Sequence, residues 1–430
     1  MISRRKLLAA TSVAATATLW NTSQAPAAYA SGVAPKLRLV NGSGHSTAFA
    51  YVTANVFSGT KFEGHGLLNP RTGKLDPLPN PAKDGLELDA FLADHRLPFD
   101  TNLTLLQRLV TGRVWFSLGT SLKLKANRNP EGSAGVLVQP DPGVAEDDSY
   151  GLSWDYCELT YDARGLTANV SFVDAVAIPM SLKLVPGSGV TQTVAGMPAR
   201  GTATLANMLA GQGGDWGACP VYSANGKLVR VVSPAKIPGL GKTVFAGYYS
   251  SYVQKVWDHY RDSGPNSVAI TLGDVWPGKI VRGRTSGNKF TFQGITDGSY
   301  TDNPIWRPGT YIPPGSTVPN TAEKDIFGCD GALHGVNGTQ QGRIAAVLGA
   351  AFCRGTLLSN AAQPDATATH FYTQAPKHHY ARLVHEIAGR GYAFPYDDVT
   401  PTLGGDLSGT VGYYEQPDNW ALTVTLKPPV

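Results

Sequence analysis

The sequence predicts a mainly β protein with an α/β insertion. A β-sandwich or barrel is drawn from both ends of the chain, and a mixed α/β region lies between them. Three observations carry this reading. Short runs of alternating aromatic and β-branched residues recur through the first third. Glycine and proline number 49 and 30 while charged residues are only 16% of the chain, a composition of many turns joining many short strands. Helical periodicity sets in near residue 200, and strand-like alternation returns after 391.

Residues 1–30 are expected to be a leader and no part of the fold. Ser3-Arg4-Arg5-Lys6-Leu7-Leu8 is a twin-arginine pattern, an apolar Ala-rich run follows, and Ala28-Tyr29-Ala30 is a small-x-small cleavage site. The expected product is secreted to the outside after folding. The apolar run is too short for a retained span and no later stretch reaches the length of one, so no membrane partner is expected. Losing Arg4, Arg5 and Lys6 with the leader lowers the formal charge from +4 to +1, which argues against a nucleic-acid partner. The remaining ~400 residues exceed one typical core. The chain is therefore divided into a β domain of 31–195 with 391–430 and a mixed α/β domain of 196–390, acting as a monomer.

In the first domain, residues 37–40 and 49–57 alternate well enough for strands on either side of Asn41-Gly42-Ser43-Gly44, and 69–81 read as a Pro/Asn/Gly loop. Residues 83–92 and 102–110 give mixed signals; 113–118, 122–124 and 134–138 read as strands. In the second, 203–209 form a short helix ended by Gly211. Val244, Tyr248, Tyr252, Val256 and Tyr260 recur at a period of four, predicting a helix over 244–261 that Asp262-Ser263-Gly264-Pro265 closes. Strands at 267–272 and 289–292, helices at 342–354 and 377–388, and a Pro-rich surface loop at 304–319 complete this region. Strands at 392–394 and 420–426 return to the first sheet.

The chain is organised around residues 154–180, WDYCELTYDARGLTANVSFVDAVAIPM with its flanks. Residues 154–161 and 168–178 read as a β-hairpin around Asp162-Ala163-Arg164-Gly165. Alternation sets Trp154, Tyr156, Glu158 and Thr160 on one face, with Asp155, Cys157 and Leu159 on the other. An acid flanked by two aromatic rings is a sugar-binding composition. If the connecting loop sets Phe172 opposite Glu158, Asp174 becomes its diagonal neighbour at roughly 7–8 Å. Carboxyl groups about 6.5–9.5 Å apart suit inverting glycoside hydrolysis, where a water fits between base and sugar. A shorter loop breaks that register. On residue type alone, both acids are solvated strand carboxylates.

A resemblance decides between the two readings. Asn169-Val170-Ser171-Phe172-Val173-Asp174 followed by Ile178-Pro179-Met180 resembles the thaumatin-family signature, with Asn169 in place of the usual first Asp and Ala175 and Ala177 in place of Gly and Asn. Glu158-Leu159-Thr160 is similar to the E-F-T of that family's acidic cleft, and Tyr392-Ala393-Phe394-Pro395-Tyr396-Asp397-Asp398 to its closing motif. The length and the low cysteine count favour one branch, and the chain resembles glycoside hydrolase family 64, bacterial endo-β-1,3-glucanases. The resemblance implies a thaumatin-like barrel and a mixed α/β domain flanking a wide groove. It also implies Glu158 as general acid and Asp174 as general base, with no metal or organic cofactor.

On that reading Glu158 is held protonated by a desolvated, aromatic-flanked site, and Asp174 stays ionised to activate water. The substrate-binding candidates are Trp154, Tyr156 and Thr160, with Asp397 and Asp398 divided between cleft and support roles. The expected partner is a long β-1,3-glucan such as curdlan, laminarin or fungal wall glucan. The alternative of another class is a non-catalytic glucan-binding protein. A membrane-active defence protein would need a basic face and many disulfides.

Other constellations are weaker. Cys157, Cys219, Cys329 and Cys353 are an even number, which in an exported protein predicts disulfides without choosing among the pairings, and none has zinc spacing. Cys157 is read as structural. His378, His379 and His385 share a predicted helix without H-E-x-x-H and are read as surface or capping residues. Neither G-x-S-x-G nor a Walker loop occurs; Gly239-Leu240-Gly241-Lys242-Thr243 is read as a turn.

Overall fold

The computed structural model describes residues 34–273, 275–399, 409–415 and 418–430. The expected leader at 1–30 lies outside these residues. Among them the strands form five sheets, and the architecture is mainly β.

Two large sheets come from residues 36–194 and 410–426. The seven-stranded one runs Thr410–Tyr413, Gly165–Val170, Ser153–Asp162, Leu109–Leu118, Ala48–Ser58, Lys61–Leu68, Leu75–Pro77. The five-stranded one runs Gln192–Val194, Met180–Pro186, Trp420–Leu426, Lys36–Asn41, Asn102–Thr104. In it Lys36–Asn41 lies parallel to Trp420–Leu426, so the two ends of the described chain are hydrogen-bonded to each other. Alternate residues such as Val114, Phe116, Cys157 and Leu159 from the first sheet meet Leu37, Leu39, Leu182, Leu422 and Val424 from the second in one apolar core. Residues 420–426 form the expected strand, while Tyr392 makes only an isolated bridge to Ser171.

The other face of the seven-stranded sheet has its own cover. Tyr51, Trp115, Trp154 and Tyr156 pack there against Leu88, Leu92, Leu124, Ala126 and Leu137. These belong to the helix Asp89–Asp94, a sheet of Leu86–Glu87, Lys125–Asn127 and Val136–Val138, and the turns between them. The strand expected at 122–124 lies slightly later, at Lys125–Asn127; Leu122 and Leu124 are buried in this cover, and the Leu124 carbonyl accepts the Leu88 N–H at 3.0 Å.

Residues 201–390 carry the helices Gly201–Ala210, Ser250–His259, Gln340–Arg354 and His379–Ala388 together with a second five-stranded sheet. Thr339 caps Gln340–Arg354 by accepting the Gly342 N–H at 3.0 Å, and Gly355 ends it in the left-handed conformation. The helix expected over 244–261 is shorter. Phe245 and Gly247 have positive φ and Asp215 takes the Phe245 N–H at 2.6 Å, so the helix begins only at Ser250. Strands at Lys61–Leu68, Met180–Pro186 and Ile280–Ser286 were not expected. The alternation of Met180, Leu182 and Leu184, all buried, is the signal that could have given the second of them.

The expected disulfides are not formed. All four cysteines are buried free thiols; Cys157 and Cys219 are filling apolar core, and the Cys329 and Cys353 sulfurs touch at 3.7 Å. Burial pushes the Cys157 and Cys219 thiols well up from their ordinary value.

The hairpin that leads the site is set by its turn. Asp162 pairs with Gly165 across a two-residue connection, and Asp162 Oδ1 accepts the Arg164 N–H at 2.8 Å. Gly165 adopts φ +141°, where an added Cβ would overlap the Tyr413 carbonyl. Gly165→Ala is expected to lower the unfolding free energy by about 1–3 kcal/mol, measured by urea titration.

Candidate active site

The strand Ser153–Asp162 pairs antiparallel with Leu109–Leu118, and Glu158 stands directly opposite Arg113. Residues directly opposite share a face, and Arg113 Nη2 donates to Glu158 Oε1 at 3.1 Å. The same guanidinium donates to Gln139 Oε1 and lies 4.2 Å from the centre of the Tyr156 ring. Burial alone would lower the Arg113 pKa; Tyr156, Glu158 and Asp174 together outweigh it and hold the group raised. One pair farther on, the register slips between Leu159 and Tyr161, and Thr111 on the facing strand takes φ 54°. This β-bulge sits beside the acid, as bulges near functional sites do.

The tight hairpin corrects the expected register. Asn169, not Phe172, stands opposite Glu158, and the second strand ends at Val170 instead of running to 178. Asp174 therefore reaches the site from an irregular segment held at several points. Phe172 N–H donates to the Tyr392 carbonyl at 2.7 Å, and Tyr380 Oη donates to the Phe172 carbonyl at 2.6 Å. The Ser233 N–H donates to the Asp174 carbonyl at 2.9 Å, and Ala175 pairs with Val232. From behind, Asp155 Oδ2 accepts the N–H groups of Ala177 and Ile178 at 2.8 and 3.0 Å.

So held, Asp174 meets the same strand face as Glu158. Tyr156 Oη donates to Asp174 Oδ2 at 2.8 Å, and Lys236 Nζ lies 3.2 Å from Oδ1. Burial opposes the Asp174 charge, but Lys236, Arg113 and the Tyr156 hydroxyl outweigh it and hold the carboxyl below the usual aspartate range. The Asp174 side chain is 12% exposed and that of Glu158 31%, so solvent reaches both. Each acid thus has its own partners within one cluster. The desolvated setting expected for Glu158 is not the one found: its side chain is partly open to solvent and its partner is the Arg113 guanidinium.

The structure separates the remaining candidates. Trp154 is not a groove residue. It is 4% exposed, its indole N–H donates to the Ser149 carbonyl at 2.9 Å, and the Arg230 guanidinium lies 5.0 Å from its ring. The covering layer closes over this end of the strand and leaves only Glu158 and Thr160 partly open on that face. Tyr156 is likewise buried, and its hydroxyl serves Asp174 instead of a ligand.

Asp397, fully buried, supports and does not line a cleft. Its Oδ2 receives His385 Nε2 at 2.8 Å and the Ala393 N–H at 2.9 Å, and Oδ1 receives Arg354 at 3.2 Å. It fixes the turn whose Tyr392 pairs with Ser171, while Asp398 beside it is half-buried. His378 caps its helix by accepting the Ala381 N–H at 3.2 Å. No group of three or more His, Cys, Asp or Glu is arranged to hold a metal ion among the described residues.

Sequence reasoning missed Arg113, Lys236 and the gripping role of Asp155. A lone arginine in the apolar run LVTGRVWFSL was a usable signal for the first; Lys236, in a turn, offered none.

The model of the Beta-1,3-glucanase family, glycoside hydrolase family 64, matches residues 34–424. The chain belongs to this family. It is 29% identical over 292 residues to a glucan endo-1,3-beta-glucosidase of Cellulosimicrobium cellulans, an alignment covering 67% of this chain and 48% of the relative. The chain thus spans about half the length of the curated relatives it matches. Its fold is similar to a laminaripentaose-producing beta-1,3-glucanase solved with laminaritetraose, at TM-score 0.73 and 23% identity, covering 93% of this chain and 99% of that one. A family 64 beta-1,3-glucanase domain from Clostridium beijerinckii follows at TM-score 0.68 and 18% identity, covering 94% and 100%. Among the described residues no helix is long and apolar enough to cross a membrane.

The Asp397 network makes stability pH-dependent. Burial opposes its charge, but His385 and Arg354 hold its carboxyl below the usual aspartate range. Its contribution is fully present above the unfolded-state value of about 3.9 and is lost as pH falls through the lower folded value. Asp397→Ala is expected to cost about 3–5 kcal/mol at neutral pH, since it removes the countercharge of the buried Arg354 guanidinium. In urea titrations across pH, that difference from the native protein should shrink as pH falls below about 4.

Proposed function

We propose that the protein is a secreted endo-β-1,3-glucanase that cleaves long β-1,3-glucans, such as curdlan, laminarin and fungal wall glucan, to short oligosaccharides with inversion at the anomeric carbon. The observation that carries the reading is the meeting of Glu158 and Asp174 on one strand face in unlike surroundings, one solvent-facing and one clamped in its charged state. Two carboxyl groups with divergent environments are the usual basis for dividing acid and base roles.

Asp174, ionised, draws a proton from a water as that water's oxygen bonds to the anomeric carbon. Glu158 gives its proton to the glycosidic oxygen on the opposite side as that carbon–oxygen bond breaks. Both side chains act directly, without a metal or organic cofactor. Thr160, partly open and two residues past Glu158 on the same face, is a substrate contact in this reading. The chain carries a thaumatin-like β domain and a mixed α/β domain flanking a wide groove, works as a monomer, and is exported through the twin-arginine pattern at 3–8.

Glu158→Gln and Asp174→Asn are each expected to reduce release of reducing ends from curdlan at least about 10³-fold while leaving glucan pull-down intact. Proton NMR of the first product should give the α anomer before mutarotation. Binding by the native protein without release would identify a glucan-binding protein instead, and a first-formed β anomer would exclude inversion.

A further inference from the structure

We propose that Lys236 is a positioning residue for this reaction: its ammonium, fixed on Asp174 Oδ1, keeps the general base ionised and thereby sets the acid limb of the pH–rate profile. The inference rests on the reading of Asp174 as the base.

The backbone brings the two residues together. The strand Leu228–Val232 pairs with Ala175–Val176, and its extension donates the Ser233 N–H to the Asp174 carbonyl at 2.9 Å. The short 3₁₀ turn Pro234–Lys236 follows at once, with the Lys236 N–H on the Ser233 carbonyl at 2.9 Å. The same hydrogen-bonded corner thus fixes the acid and the start of the lysine stem, and the ammonium reaches Oδ1 at 3.2 Å. The Lys236 side chain is 26% exposed, so the contact is shielded from solvent without being sealed.

Several groups face Asp174. Tyr156 and Glu158 come from Ser153–Asp162, Arg113 from Leu109–Leu118, Tyr380 from His379–Ala388 and Lys236 from its turn, with Asp141 facing the lysine from a loop. Arg113 donates to Glu158 and Gln139 and adds its charge at longer range. Lys236 touches Asp174 directly, its Nζ 3.2 Å from Oδ1. Tyr156 gives a hydrogen bond but no charge, and a hydroxyl alone does not offset the burial of a carboxylate. Without the ammonium, Asp174 would take up a proton at mildly acidic pH and lose its capacity to accept one from water. A lysine is suited to this task because its compact charge holds one oxygen while the remaining lone pairs of the carboxylate stay open to water.

The test is kcat/KM against pH on a soluble β-1,3-glucan for the native protein, Lys236→Met, Lys236→Gln, Lys236→Arg and Asp174→Asn, each first checked for a native-like melt. The acid limb reports the free enzyme's base. In Lys236→Met it is expected to move to higher pH by at least about one unit, since an opposite charge at this range shifts a carboxyl by about 1–3 units. Lys236→Gln, which keeps a donor without the charge, should move it in the same direction, and Lys236→Arg should largely restore it. An unmoved limb in both neutral variants, or a rise in KM alone, would overturn the proposal and make Lys236 a structural or substrate contact. Asp174→Asn separates the two levels. Its inactivity at every pH keeps the base reading whatever Lys236 does, and activity in it would remove the base on which the inference rests.

Discussion

One buried carboxylate governs where the second acid can stand. Asp155 projects from the back of the strand whose front carries Glu158, and it takes the backbone N–H groups of Tyr156, Ala177 and Ile178. Burial pushes its pKa up to about 7 against the pull of those donors. Because a strand alternates its faces, this acid and Glu158 are rigidly related through the intervening backbone. Whatever Asp155 grips is held at a fixed offset from Glu158. The gripped segment begins three residues beyond Asp174. The relative placement of the two acids therefore depends on a third acid buried behind the strand.

Around that frame, the charges are distributed unequally. Glu158 is open to solvent and answers to Arg113; Asp174 is nearly enclosed and answers to Lys236 and Tyr156. Neighbouring carboxylates with identical surroundings would compete for one proton, whereas distinct partners let each settle its own state. The guanidinium lies against the Tyr156 ring between the two. Arg113 and Tyr156 are thus common to both halves of the site, one as a shared countercharge and one as the surface on which it rests.

The closing motif acts at a distance. Asp397 ties the ends of the helices Gln340–Arg354 and His379–Ala388 to the turn that presents Tyr392. Tyr392 in turn pairs with Ser171 and Phe172, and Tyr380 from the same helix holds the Phe172 carbonyl. A chain of hydrogen bonds runs from the helical region to the Asp174 segment. That linkage connects Asp397, near the C-terminus, to the segment of an acid more than 200 residues earlier.

The sequence by itself determined the mainly β character, the hairpin, the shared face of Trp154, Tyr156, Glu158 and Thr160, the principal helices and the family. Each rests on local chemistry: alternation, turn residues, caps and short motifs are written in neighbouring residues. Tertiary structure alone decided which aromatic rings went under the covering layer and how Asp174 returned to the site after its strand had ended. It also decided that the cysteines remained thiols and that Arg113 and Lys236 became the partners of the acids. Those outcomes depend on residues brought together from strands, turns and helices far apart in the chain, and no local pattern encodes which distant side chain will face a given carboxylate.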